Sequence, residues 1–66
     1  MALPAPLAGR QIRVLVVDDS AFMRRAVERL LGQKPGVTVV GTAADGVEAV
    51  KRALELRPDV ITMDVE

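Results

Sequence analysis

Three short runs of mostly β-branched residues, separated by two amphipathic stretches of helical length, constrain this chain more than any other feature. They are Ile12 to Val17, Val37 to Gly41 and Val60 to Met63. Their near-continuous apolar character fits strands covered on both faces, as in a parallel sheet, rather than strands with one wet face. Ser20 predicts a helix N-cap after the first run. Met23, Val27, Leu30 and Leu31 then recur at i, i+4, i+7 and i+8, which predicts one buried face, with Arg24, Arg25, Glu28 and Arg29 mostly on the other. Gly32 and the Pro35-Gly36 pair stop that helix. Asp45 and Glu48 have the spacing of a capping box for a second helix. Its expected inner face is Val47, Val50 and Leu54, with Ala49, Ala53 and Leu56 beside it, and Pro58 forces Arg57 out of the helical region. The predicted order is therefore β-α-β-α-β, an α/β fold of two right-handed crossovers on a parallel sheet.

Composition narrows what such a fold can do. In 66 residues, nine basic and nine acidic side chains cancel, so the basic footprint of a nucleic-acid binder is missing. Phe22 is the lone aromatic, which leaves no platform for stacking bases; Phe22 and Met23 are expected in the core. Histidine and cysteine are both absent, which rules out a Ser-His-Asp triad, disulfides and imidazole or thiolate metal sites. Only oxygen ligands remain, and these suit hard cations. The glycines form neither G-x-G-x-x-G nor a Walker A loop. No run approaches the ~20 apolar residues of a membrane span. Residues 1 to 11, with Pro4, Pro6 and Gly9, predict a flexible N-terminal tail without the features of a signal peptide, and a cytoplasmic location is expected.

Two of the strands end in acids: Val17 leads into Asp18-Asp19, and Met63 into Asp64. In doubly wound sheets, ligands sit beyond the carboxyl ends of the strands. If the first and third strands are neighbours, the three acids share one rim. Carboxylates ~4 Å apart repel by roughly 1–4 kcal/mol per pair at effective dielectrics of 80 to 20. A divalent cation would relieve that repulsion, and a third carboxylate beside it could attack a phosphorus. The plainer reading is that Asp-Asp-Ser is ordinary strand-to-helix loop chemistry, with Asp64 a solvated loop acid. It is the convergence of the acids that favours a cation site.

The residues Val14-Leu15-Val16-Val17-Asp18-Asp19-Ser20, Ala44-Asp45-Gly46 and Pro58-Asp59-Val60-Ile61-Thr62-Met63-Asp64 together resemble a response-regulator receiver domain. Asp18 to Arg24 and Ile61 to Glu66 are similar to the receiver of chemotaxis protein-glutamate methylesterases (the CheB type). The resemblance implies a three-layer, flavodoxin-like βαβαβ half-domain over residues 12 to 66 with strand order 2-1-3. It implies Asp64 as phosphoacceptor, Asp19 as direct Mg²⁺ ligand, Asp18 as a helper, and Glu66 as a backbone-carbonyl ligand. It further implies a chemotaxis-type sensor histidine kinase as donor and, through an output domain outside this chain, chemoreceptors as targets. The family's later Ser/Thr and Lys would lie past Glu66, so a truncated receiver without esterase activity of its own is expected, one that forms little stable acyl phosphate. The alternatives are a receiver with another output, such as DNA binding, and a half-domain that self-associates through the unpaired edge of the third strand.

Overall fold

The computed structural model describes residues 10 to 64. Its elements are β1 (Ile12–Asp18), α1 (Ala21–Gly32), β2 (Val37–Ala43), α2 (Gly46–Leu56) and β3 (Val60–Asp64). The strands form one parallel sheet in the order β2-β1-β3. The expected element order, sheet and strand order are all present. Both predicted N-caps form: Ser20 Oγ accepts from the Met23 amide at 3.2 Å, and Asp45 Oδ1 from the Glu48 amide at 2.8 Å. Gly36 takes a positive φ of 80° in the turn before β2, a conformation that favours glycine, and its carbonyl accepts from the Ile12 amide at 2.7 Å.

Central β1 is buried on both faces and divides the core in two. Ile12, Val14 and Val16 lie under α1 with Val27, Leu31, Val37 and Val39. Leu15 and Val17 lie under α2 with Ala43, Ala49, Ala53 and Leu56. The layers are therefore α1, sheet, α2. One irregularity makes the second layer fit. Val14 pairs with Val39 but Leu15 pairs with Gly41, so Val40 is an extra residue on β2. This bulge switches the side-chain phase of the strand. Before it, Val37 and Val39 face α1; after it, Gly41 and Ala43 face α2. Small residues there let α2 sit close: a Cβ built on Gly41 would lie 2.7 Å from Leu56 Cδ1.

The inner faces of the helices differ from the sequence expectation. On α2 the sheet takes Ala49, Ala53 and Leu56, while Val47, Val50 and Leu54 are exposed. Both sets have helical spacing. The inward stripe sets Ala49 and Ala53 on the sheet and Leu56 against Gly41, where the missing Cβ leaves room for it. On α1, Val27 and Leu31 turn inward, whereas Met23, Leu30 and Phe22, the last 80% exposed, do not. α1 and α2 pack on β1 and β2, and neither contacts β3. Of β3, Val60 joins the α1-side layer of Ile12, Val14 and Val16. An apolar hollow of about 220 Å³ marks the place, lined by Val14, Leu31, Lys34, Val37, Val60 and Thr62. Thr62 is half-buried, as expected.

β3 is held mainly through β1. At its entrance Asp59 acts as a clip: its amide donates to the Arg13 carbonyl at 2.8 Å, and its Oδ2 accepts from the Arg13 amide at 2.9 Å. Asp59 Oδ1 also pairs with Arg10 at 2.8 Å, and Arg13 Nη1 donates to the Arg57 carbonyl at 2.9 Å. Arg57 adopts the left-handed region (φ 49°) as the C-terminal cap of α2, its amide donating to the Ala53 carbonyl at 2.9 Å. Arg10, and Gln11 bonded to Thr38, are thus attached to the body although the sequence assigns them to the tail; the rest of that tail lies outside the described residues.

Candidate functional site

The acids emerge where β1 and β3 end. Asp18 and Asp64 are register partners on adjacent parallel strands, so the pleat directs both side chains to the same face. Asp19 follows directly, and its amide approaches the Asp64 carbonyl at 3.4 Å, a long, weak bond that continues the ladder one residue past the strand. The three candidate acids therefore occupy one rim. Their environments differ: Asp18 is 3% exposed, while Asp19 and Asp64 are open to solvent.

Asp18 is engaged locally. Its Oδ1 accepts from the Ser20 amide at 2.9 Å, closing the turn into α1. Every buried side-chain nitrogen and oxygen among the described residues has a partner or some access to solvent. Asp18 thus fulfils the loop role as well as lying on the rim, and the two readings weighed from sequence describe one residue. Among the described residues, no three acids already stand together as a ready ligand set. Glu66, the fourth expected contributor, lies outside the described residues. By donor chemistry the rim still fits a hard cation, since it offers carboxylate oxygens and no nitrogen or sulfur.

Sequence reasoning missed Arg24. Assigned to the solvated face of α1, it instead turns back, half-buried, and donates from Nη1 to the Asp18 carbonyl at 2.9 Å. Its position five residues after Asp19 was the available signal: one helical turn past the cap brings a long side chain back over the strand end.

The response regulator receiver domain model matches residues 14–66. The chain belongs to the response-regulator receiver family. Among individual proteins, it is 58% identical over 60 residues to a protein-glutamate methylesterase/protein-glutamine glutaminase of Thermotoga maritima, covering 91% of this chain and 17% of that protein. A protein of the same name from Pyrococcus abyssi is 54% identical over 61 residues, covering 92% and 17%. The crystal structure of the response regulator domain of Thermotoga maritima CheB superposes with a TM-score of 0.84 at 61% identity, covering 86% of this chain and 42% of that one. The receiver described here therefore spans about one-sixth of the length of these curated relatives. Accepting a phosphoryl group on an aspartate is the general activity of receivers, generally with Mg²⁺ and a histidine kinase as donor. No helix among the described residues is long and apolar enough to cross a membrane.

Proposed function

We propose that this receiver takes a phosphoryl group from a histidine kinase onto Asp64, and that in its parent protein this controls a chemoreceptor methylesterase. The observation carrying the site assignment is the register pairing of Asp18 with Asp64 beside Asp19. Asp64 is exposed at the strand end, open to a donor as large as a kinase domain. One of its carboxylate oxygens attacks the phosphorus of a phosphohistidine. The P–O bond to Asp64 forms as the P–N bond breaks, and the imidazole leaves with a proton taken up from solvent. Asp19 and Asp18 would hold Mg²⁺, with Asp64 and the Glu66 carbonyl completing the protein ligands. When bound, the ion offsets the charge of the acids and of the incoming phosphoryl oxygens. The methylesterase output is supported by the names of the relatives at 54–58% identity, and the cytoplasmic setting by the need to meet a kinase.

Two measurements test this. Mg²⁺ titration of the chain, followed by amide resonances, should show saturable binding that weakens strongly in Asp19→Asn and in Asp64→Asn; unchanged binding in both variants removes the site assignment. In a full-length methylesterase carrying this receiver, radiolabel from a chemotaxis-type kinase should appear on wild type and vanish in Asp64→Asn. Persistence of label in that variant moves the phosphoacceptor elsewhere.

A further inference from the structure

We infer that Arg24 is a positioning residue for the acid rim, acting through the single peptide unit between Asp18 and Asp19. A peptide unit is planar and trans, so its carbonyl and its amide point in opposite directions as one rigid body. Here the Asp18 carbonyl receives Arg24 Nη1 at 2.9 Å, and the Asp19 amide of the same unit faces the Asp64 carbonyl at 3.4 Å. Rotation of this plane would break the Arg24 bond and withdraw Asp19 from β3 together. The grip is also closed on itself. Asp18 Oδ1 fixes the Ser20 amide at 2.9 Å, the Ser20 carbonyl fixes the Arg24 amide at 2.8 Å, and the Arg24 side chain returns to Asp18. Strand end, helix start and guanidinium thus form one ring of bonds, which meets β3 where Asp18 pairs with Asp64 and the Asp19 amide faces the Asp64 carbonyl. Neighbouring Arg25 and Arg29 are exposed and make no such return.

The inference rests on the metal reading above, and its sign separates it from simple electrostatics. Deleting a cation beside a cluster of acids tightens divalent binding by charge alone. Loosening the peptide that carries Asp18 and Asp19 weakens it, and loss of an outer partner of a metal ligand typically costs about tenfold or more in affinity. In a ¹⁵N-labelled chain, Arg24→Ala should weaken Mg²⁺ binding about tenfold and shift the Asp19 amide even before metal is added. Arg24→Lys, which keeps the charge without the fixed fork, should recover part of both effects, and Arg25→Ala should have neither. If Arg24→Ala does not fold, Arg24→Met keeps the aliphatic stem and carries the same readout. Mg²⁺ binding at or above wild-type strength in the Arg24 variant, with Asp19→Asn still defective, overturns the inference and leaves the metal reading standing. A wild-type chain that ignores Mg²⁺ overturns the metal reading instead, and the Asp19 amide shift then decides the role of Arg24 alone.

Discussion

Asp18 serves the turn with one property and the rim with another, and the two can be separated. Asn keeps an oxygen that can accept from the Ser20 amide but removes the charge; Ala removes both. Adjacent strands lie about 5 Å apart, so at effective dielectrics of 80 to 20 the repulsion between Asp18 and its register partner Asp64 is about 1–3 kcal/mol. Exposure of Asp64 places the value near the lower limit. Leaving the partly buried Ser20 amide without its 2.9 Å acceptor costs about 1–2 kcal/mol. In metal-free buffer, Asp18→Asn should therefore unfold at the same urea concentration as wild type or a higher one, by up to about 1 kcal/mol. Asp18→Ala, which gains the same relief but orphans the Ser20 amide, should be less stable than Asp18→Asn by about 1–2 kcal/mol. Adding Mg²⁺ should stabilise wild type through preferential binding to the folded chain, and should stabilise Asp18→Asn much less. Urea midpoints by circular dichroism, with and without Mg²⁺, give all of these values. If Asp18→Asn is as damaged as Asp18→Ala without metal, the carboxylate is there to hold the fold, and the reasoning fails.

The other predictions concern the framework. Gly41→Ala should cost about 1–2 kcal/mol because its methyl must displace Leu56 Cδ1, 2.7 Å away, and adding Leu56→Ala should recover part of that loss. Strict additivity of the two changes in a thermal or urea series would mean that this contact is not the cause. Asp59→Ala should lower stability by about 1–2 kcal/mol through the lost bond to the Arg13 amide. Arg10→Ala should lower it by under about 0.5 kcal/mol, because the ion pair is partly solvated. Equal losses in those two variants would show that the ion pair, rather than the backbone bond, secures β3.

The architecture was legible because each boundary has a local chemical cause. Ser20 and Asp45 cap, Pro35-Gly36 and Pro58 break, and the three β-branched runs are too short for buried helices. The carboxyl-end acids were legible for the same reason, since element order alone places them on one side. What escaped the sequence depended on distances between elements. Val47, Val50 and Leu54 are as periodic as Ala49, Ala53 and Leu56, and only the packing against Gly41 and Ala43 distinguishes the buried set. The extra residue at Val40 changes the phase of β2 without disturbing its composition. Asp59 reads as a turn acid until Arg13 is found opposite, and Arg24 as a solvated charge until the Asp18 carbonyl is found beneath it.

The bare flanks of β3 have a consequence for how the rim behaves in time. Among the described elements this strand contacts β1 alone, so its opening free energy should be the smallest in the sheet. Its amides should exchange with solvent while those of β1 remain protected. Asp64 travels with that strand, so the fraction of molecules with an assembled rim equals the fraction with β3 docked. Whatever covers the exposed Ile61 and Met63, or fills the hollow beside Val60, therefore raises the population with the rim assembled, without touching any acid.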